Sequence, residues 1–233
     1  MTRTAAPDDE LMSRNQLLTP MFVDDAGTGL VIAGLRRYNL FTAVFFLGRH
    51  RRLLAEFVTR SGARPGSRAL DIGCGPGKLV RALGAAVGPN GAAVGVDPSA
   101  TAVADNSARD RATHHRYVVG PAQSLPLSDA EFDVMTCTFV MHHIPESQRD
   151  AAIAEMWRVL RPGGRLLLAD ASPTPRMRAV LSRFLGRGGD PFADADIRHY
   201  TDRVEAVGFT DLSYTQSRDQ TGILTALKPA AHH

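Results

Sequence analysis

Short apolar runs alternate with helical stretches through the middle of this chain. Five runs of four to six residues predict β-strands: Arg68–Ile72, Ala92–Asp97, Arg116–Val119, Phe132–Cys137 and Arg165–Asp170. The stretches between them predict helices over Leu79–Val87, Ala100–Ala108 and Gln148–Leu160. Strands that alternate with helices predict an α/β fold, whose mostly parallel sheet is covered by helices on both faces.

The two ends of the chain are predicted to add to this core. Helical periodicity from Leu30 to Phe57 indicates two helices broken near Gly48. Near the other end we expect a helix over Asp202–Val207 and strands over Asp211–Gln216 and Gly222–Leu227. We therefore divide the chain into a tail and helical cap or lid (1–60) and a main domain (61–233). The Pro-, Gly- and Arg-rich segment 171–200 is predicted to be a lid insertion in that domain.

Composition is that of an ordinary globular protein of one sizeable α/β domain, with 233 residues, 44% apolar and 22% charged. No apolar run reaches the roughly 18 residues that span a bilayer, and "MTRTAAPDDE" lacks a signal core. We expect a cytoplasmic protein without stable membrane insertion. Cys74 and Cys137 predict small buried side chains, and the histidines lack partners at metal-ligand spacing, so no metal site is predicted.

Charge gives little sign of a nucleic-acid partner. The formal net charge is +3, but the arginines are scattered along the chain. One cluster, "GRHRR" at 48–52, is typical either of a solvated helix face or of a contact to a phosphate or anionic substrate. Both interpretations remain open at this point.

The stretch "ALDIGCGPGKLVRAL" places Gly73, Gly75 and Gly77 directly after the first strand of the core. Ligands of open α/β sheets bind beyond the carboxyl ends of the strands. Glycines there permit positive φ and a close approach to the backbone. Asp97 ends the second strand, 20 residues after Gly77, where a carboxylate can accept both hydroxyls of a ribose. Together these features predict a nucleoside cofactor.

The residues around the glycines distinguish between a dinucleotide and S-adenosylmethionine as the nucleoside cofactor. A dinucleotide loop has Gly-x-Gly-x-x-Gly, whereas the third glycine here comes one residue early and Asp71 precedes the loop. A carboxylate repels a pyrophosphate but suits an amino-acid ammonium, which favours S-adenosylmethionine. No tyrosine of the chain is followed four residues later by a lysine, the pair that a short-chain dehydrogenase needs.

These motifs resemble those of the class I S-adenosylmethionine-dependent methyltransferases. The likeness is strongest to the methyltransferase type 11-like branch that includes the ubiquinone/menaquinone biosynthesis C-methyltransferases. It is carried by "ALDIGCGPG", "VGVDPS", "SLPLSDAEFDVMTCTFVMHHIP" and "EMWRVLRPGGRLLLAD", within residues 66–170. The resemblance implies a Rossmann-like sheet of seven strands, the last one antiparallel, with the cofactor lying across strands one to four.

The resemblance also implies which residues hold the cofactor. Loop residues would bind the methionine part, Asp97 the ribose, and Pro98 or Ser99 the adenine. The full implied set is Asp71, Gly73, Cys74, Gly75, Gly77, Asp97, Pro98, Ala122, Gln123 and Thr138. The family commonly has Gly-Asp-Ala-Glu after strand three, but here Pro121 replaces the Asp in "GPAQ". Adenine recognition then depends on the Ala122 N–H, on Gln123 or Ser124, or on a substitute such as Asp129.

Methyl transfer from a sulfonium is an in-line displacement, so alignment and exclusion of water matter most. A base is needed where the acceptor loses a proton. The candidate catalytic residues are His143, His142 and Tyr38, with His50 and His199 as further candidates. "MHHIP" follows strand four, near the expected position of the methyl group. His143 is interpreted equally as a base or as a structural or cofactor-packing residue, and Tyr38 equally as lining the pocket or as core. For His142, packing against the sheet is the preferred interpretation.

We therefore expect a methyltransferase that acts on a small aromatic or lipophilic acceptor, such as a secondary metabolite, and releases S-adenosylhomocysteine. A quinone-ring C-methyltransferase is the alternative within the family. A nucleic-acid methyltransferase is disfavoured, because "TFVM" stands where an Asn/Asp-Pro-Pro-aromatic motif is required. A catalytically inactive S-adenosylmethionine-binding protein, suggested by Pro121, is the non-enzymatic alternative. The sequence leaves homodimer formation open.

Overall fold

The computed structural model describes residues 49–174 and 195–230, and the backbone of two short strands before them. In chain order the strands and helices are β1 (Phe22–Asp25), β2 (Gly29–Ile32), α1 (His50–Ser61), β3 (Arg68–Ile72), α2 (Lys78–Val87), β4 (Ala92–Asp97), α3 (Ala100–Arg109), β5 (His115–Val119), β6 (Phe132–Thr138), α4 (Arg149–Val159), β7 (Leu160–Ala171), α5 (Thr201–Val207), β8 (Thr210–Gln216) and β9 (Thr221–Leu227). Short 3-10 helices span Met141–His143, Glu146–Gln148 and Ile197–Tyr200.

Seven strands form one sheet in the order β5-β4-β3-β6-β7-β9-β8. The strands from β5 to β7 are parallel, and β9 runs antiparallel to both of its neighbours. The predicted α/β class and the antiparallel last strand are confirmed. The chain moves outward from β3 to β5 and then returns to place β6 beside β3. This reversal of direction puts a crevice at the carboxyl ends of β3 and β6.

Helices cover both faces of the sheet because successive side chains of a strand point to opposite faces. In β7, Leu166 and Leu168 join an apolar cluster that includes Ile153 of α4, whereas Leu167 joins a second cluster with Phe57 of α1. All five side chains are almost fully buried. Each contributes about 1.5–3 kcal/mol relative to an exposed position, so the sheet is stabilised from two sides.

The observed bounds of the core elements fall within one residue of the predicted ones at each end, with β7 as the exception. β7 starts at Leu160 rather than Arg165, because Leu160 pairs with Phe132 of β6. The Gly163 N–H also donates to the Lys228 carbonyl oxygen, which draws the Pro-Gly-Gly turn toward the sheet.

The predicted helix from Leu30 is wrong at its start. Residues Gly29–Ile32 form β2, which pairs antiparallel with β1 from Phe22↔Ile32 to Asp25↔Gly29. β-branched residues in both segments and a glycine between them favour a hairpin over a helix. The second helix, after Gly48, is confirmed as α1. The remainder of the predicted first helix and most of the predicted lid insertion (175–194) lie outside the described residues.

Candidate active site

The crevice at the carboxyl edge of the sheet gathers most of the predicted site residues. The glycine loop 73–77 follows β3, and Asp97 and Pro98 follow each other at the end of β4. Ala122 and Gln123 lie beyond β5, and Thr138 is the last residue of β6, paired with Ala169 of β7. Parallel strands therefore bring residues that are distant in sequence to one edge.

The three glycines of the loop all adopt positive φ: 68° at Gly73, 46° at Gly75 and 67° at Gly77. The predicted need for a left-handed backbone is confirmed. A Cβ on Gly73 would stand 2.2 Å from Val140 Cγ2, and one on Gly77 would stand 2.7 Å from Asn106 Oδ1. We expected a ligand to approach the backbone closely at these glycines. At Gly73 and Gly77, side chains of the protein itself make this close approach.

Val140 reaches Gly73 through an unusual turn at the end of β6. Phe139 has φ 59°, a left-handed conformation that bulky residues rarely adopt. Its N–H donates to the Ala169 carbonyl oxygen at 2.8 Å, and its ring lies 6.2 Å from that of Phe57. Backbone strain of this kind is stored where surrounding structure fixes it, often at functional sites. Here it directs the chain from β6 across the glycine loop.

The backbone N–H groups of the loop are engaged within the protein. Gly73 and Cys74 donate to the Val96 carbonyl oxygen at 2.8 and 3.0 Å. Gly77 donates to the Cys74 carbonyl oxygen, and Gly75 donates to Asp97 Oδ2 at 2.7 Å. A phosphate cradle needs such groups to point at the ligand. The geometry of these four groups is therefore unsuited to a pyrophosphate, in agreement with the sequence.

Two buried carboxylates face this loop. Asp71 accepts a hydrogen bond from Thr136 Oγ1 at 2.8 Å, and Asp97 Oδ1 accepts one from the Ser99 N–H at 2.9 Å. Burial raises the pKa of Asp71 to about 7, with the nearby charge of Asp97 acting in the same direction. Burial also raises the pKa of Asp97. No arginine or lysine is among the groups that shift either pKa. The pair suits a ligand that carries positive charge.

Asn106 is a site residue that the sequence analysis missed. This buried side chain of α3 donates from Nδ2 to the Gly75 carbonyl oxygen at 2.7 Å. It lies on the same buried face as Ala102 and Val103. A polar residue on the apolar face of a predicted helix was the available signal, because buried polar groups require partners.

At the predicted adenine end, Gln123 has a partner within the protein and Asp129 lies away from the site. The Gln123 side chain donates from Nε2 to Gln148 Oε1 of a neighbouring 3-10 helix. Asp129 cannot replace the missing aspartate at position 121: it precedes β6, at the amino edge of the sheet, and it pairs with Arg158 at 2.6 Å. Ala122, which follows β5 along the chain, is buried.

The adjacent histidines after β6 have different environments. His142 Nδ1 lies 2.6 Å from Oδ2 of Asp170, a fully buried carboxylate near the end of β7. The side chain of His142 retains about a quarter of its exposure (27%). The ring centroids of His142 and His143 lie 3.9 Å apart. Burial lowers the pKa of His143 to about 3, and the neighbouring His142 acts in the same direction. His143 is therefore neutral at physiological pH and a weak base.

Two further histidines were candidates. His50 is at the start of α1, where burial and the charge of Lys78, next to the glycine loop, lower its pKa. His199 is exposed on the 3-10 helix Ile197–Tyr200. Tyr38 lies outside the described residues. Cys74 and Cys137 are buried, as predicted.

The described residues offer neither a cluster of metal ligands nor a membrane-spanning helix. They contain no group of three or more His, Cys, Asp or Glu side chains arranged to hold a metal ion. None of their helices is long and apolar enough to cross a bilayer.

Comparison of sequences links this chain to known enzymes. A family model described as a methyltransferase domain matches residues 69–164. The chain is similar to the ubiquinone/menaquinone biosynthesis C-methyltransferase UbiE of Burkholderia mallei (strain SAVP1), with 33% identity over 171 residues and 70% of each chain covered. The UbiE protein of Burkholderia thailandensis matches to the same extent.

Solved structures share the fold. A SAM dependent methyltransferase from Aquifex aeolicus matches with a TM-score of 0.63 and 18% identity, over 75% of this chain and 89% of that one. The [4+2]-cyclase SpnF matches with a TM-score of 0.60 and 21% identity, over 77% and 81%. One architecture thus hosts different reactions, and the sequence match assigns the family.

Proposed function

The chain belongs to the class I S-adenosylmethionine-dependent methyltransferases, and we propose that it methylates a small aromatic or lipophilic acceptor whose hydroxyl proton is taken by His142. The single observation that carries this proposal is the contact between His142 and the buried Asp170 at the carboxyl edge of the sheet. Family membership makes the chain a methyltransferase. The acceptor and the roles of individual residues are our proposal.

The buried carboxylates fit the methyl donor of this family. We assign the methionine part of S-adenosylmethionine to Asp71 and the loop residues Gly73, Cys74, Gly75 and Gly77. We assign its ribose to Asp97, and its adenine to Pro98, Ala122 and Gln123, with Thr138 bordering the site. Bound S-adenosylmethionine supplies a methyl group already activated by its sulfonium. The negative charge of Asp71 and Asp97 complements a ligand with a sulfonium and an ammonium, and this is why a carboxylate pair is tolerated there.

His142 is better suited than His143 to act as a general base. Pairing of its Nδ1–H with the Asp170 carboxylate leaves the lone pair on Nε2. Its partial exposure allows an acceptor to approach, whereas His143 is more buried and has a lowered pKa. Removal of a proton from a phenol-type hydroxyl makes its oxygen, or the adjacent ring carbon, nucleophilic. The proton moves from the acceptor to His142 Nε2, and Asp170 stabilises the resulting imidazolium.

The apolar side chains near the glycine loop support an aromatic or lipophilic acceptor. Val140 packs over Gly73, and Phe139 follows β6 directly. β2 approaches the 3-10 helix Met141–His143 to within 8 Å between Cα atoms. We infer that the N-terminal region helps to exclude water from the site, as in-line transfer requires.

Methylation of a quinone-ring carbon is the second candidate. It is favoured by the 33% identity to a protein named a ubiquinone/menaquinone biosynthesis C-methyltransferase. Both candidates begin with a ring hydroxyl next to His142, and they differ in the atom that receives the methyl group.

The test is a screen of purified protein with methyl-labelled S-adenosylmethionine against quinols and phenols. We expect label in the acceptor together with S-adenosylhomocysteine. Spectroscopy of the product then distinguishes an O-methyl from a C-methyl group. Tight cofactor binding without turnover on any hydroxylated aromatic acceptor would contradict the proposed acceptor class.

A further inference from the structure

The arginines of the cluster at 48–52 are not among the residues that we assign to the methyl-transfer site, and one of them, Arg52, lines a separate cleft. This cleft, of about 790 Å³, lies between α1 and the strands β8 and β9. Four arginines line it: Arg52 and Arg60 of α1, Arg165 of β7, and Arg218 of the turn between β8 and β9. We propose that this cleft binds a phosphate-bearing anion, and we call it the arginine cleft.

The charge of the arginine cleft is strongly unbalanced. Among the described residues that line it, Glu56 is the one acidic side chain, and both of its carboxylate oxygens are engaged. Arg60 Nε donates to Oε1 at 2.9 Å, and Ser217 Oγ donates to Oε2 at 2.7 Å. Glu56 therefore holds Arg60 in position and also interacts electrostatically with Arg52, so one carboxylate faces four arginines.

The other three arginines, Arg52, Arg165 and Arg218, form no ion pair with any residue that the structure describes. Guanidinium groups without carboxylate partners repel one another across a shared cleft. An anion that enters the cleft removes this repulsion and gains charge-assisted hydrogen bonds.

The floor of the cleft suits a polar ligand rather than an apolar one. Thr225 of β9 pairs with Ser213 of β8, and Ile223 pairs with Thr215, so hydroxyl side chains occupy much of this sheet face. Arg60 Nη1 donates to Thr215 Oγ1 at 3.3 Å. The hydroxyls that line the cleft already donate within the protein: Thr59 to the Ala55 carbonyl oxygen, Ser217 to Glu56 and Thr225 to the Ser213 carbonyl oxygen. The guanidinium groups are therefore the donors that would recognise phosphate oxygens.

The geometry of the cleft is fixed by elements of the core. The Arg165 stem crosses the end of α1, where a Cβ on Gly62 would stand 3.4 Å from Arg165 Cδ. The volume lies within the roughly 300–1,000 Å³ of small-molecule sites, so it accommodates more than one phosphate group. A soluble phosphate compound and a phospholipid headgroup offer the same chemistry, and experiment separates the two sources.

The experiment measures binding of pyrophosphate by calorimetry, and flotation with phosphatidylcholine vesicles with or without phosphatidylglycerol. Wild type is compared with R165Q/R218Q and with the control R109Q/R111Q, which removes two exposed arginines near the opposite edge of the sheet. Both double variants lose the same charge. S-adenosylmethionine binding, measured in the same samples, reports an intact methyltransferase core, so failure of one proposal is separated from failure of the other.

We expect R165Q/R218Q to weaken pyrophosphate binding by about tenfold or more, and the control by less than about twofold. Binding should also fall as salt rises, because the arginines are exposed. If R165Q/R218Q loses only its binding to vesicles that contain phosphatidylglycerol, the ligand is a lipid headgroup. Absence of binding to both probes in wild type, or equal effects of the two double variants, would overturn the proposal.

Discussion

Asp71 illustrates how a residue can cost stability and still serve function. A carboxylate that is fully buried beside a second carboxylate destabilises its own charged form, and burial raises its pKa to about 7. The contact from Thr136 offsets only part of this cost. A cationic ligand offsets the remainder, so the site is poised to bind S-adenosylmethionine in the ionised state of Asp71.

Asp71→Asn should therefore separate stability from binding. Between about pH 4 and 7 the Asp71 carboxyl holds a proton in the folded wild type but not in the unfolded chain. The unfolding free energy of the wild type therefore falls as the pH rises through this range, and the contribution of this proton is lost once the pH passes 7. The asparagine does not titrate. We expect the unfolding free energy of the variant, relative to wild type, to gain about 2 kcal/mol between pH 5 and 8.

Chemical denaturation across that pH range measures the difference, and calorimetry at pH 8 should find cofactor affinity reduced by about tenfold or more. Parallel stability curves for the two proteins, or unchanged affinity, would contradict the role given to Asp71.

Gly73 tests the close contact with Val140. Gly73→Ala adds a Cβ that would stand 2.2 Å from Val140 Cγ2, at a φ of 68°. We expect a loss of roughly 2–5 kcal/mol in unfolding free energy. Gly66→Ala is the matched control, because φ is 86° there and nothing lies within 4 Å of the added Cβ. It should cost about 1 kcal/mol from backbone strain alone.

The double variant Gly73→Ala/Val140→Ala should regain the unfolding free energy that Gly73→Ala loses to overlap with the Val140 side chain. The loss that comes from backbone strain at positive φ should remain. Equal melting temperatures of Gly73→Ala and Gly66→Ala would show that Val140 does not constrain the loop.

His142 is the residue whose replacement should affect turnover and not cofactor binding. We expect His142→Gln to lower kcat by about 10²-fold or more. Asp170→Asn should also lower kcat, because the asparagine amide replaces the carboxylate that holds the Nδ1 proton of His142. Activity assays and calorimetry on the same samples separate the two effects. His199→Gln, at an exposed histidine, is the control, and full activity of His142→Gln would reject this base.

At the scale of elements, α3 supports the glycine loop through one side chain. Asn106→Ala leaves the Gly75 carbonyl oxygen without its donor and should cost roughly 1–3 kcal/mol of stability. Cofactor affinity should fall as well, because the loop loses its hydrogen bond to α3. Asn90→Ala, at an exposed turn, is the matched control and should change stability by less than about 0.5 kcal/mol. Equal denaturation midpoints for wild type and Asn106→Ala would contradict the structural role of Asn106.

The elements of the core were largely predictable from sequence, for a physical reason. A parallel sheet covered on both faces produces short apolar runs, and amphipathic helices produce a different period, so each boundary has a local signal. β2 was not predicted, because a strand of four residues has too few positions to distinguish the two-residue period of a strand from the 3.6-residue period of a helix. The contacts of Val140 with Gly73 and of His142 with Asp170 were not predictable, since they join residues from different strand ends.

At the scale of the whole molecule, strand order creates the site. The chain reverses direction between β3 and β6, and this reversal places Asp71, Asp97 and Asp170 at one edge of the sheet. Each of these buried carboxylates has a raised pKa. Burial of these three carboxylates lowers the unfolding free energy of the protein without ligand. A ligand that binds only the folded state raises the unfolding free energy again.

The most direct test of this account is calorimetric titration of the purified protein with S-adenosylmethionine, S-adenosylhomocysteine and NAD. We predict binding of the first two, weakened by about tenfold or more in Asp71→Asn, and no binding of NAD, because the loop N–H groups are engaged internally and two carboxylates repel a pyrophosphate. Binding of NAD, or of none of the three to a folded sample, would contradict the assignment of the glycine loop.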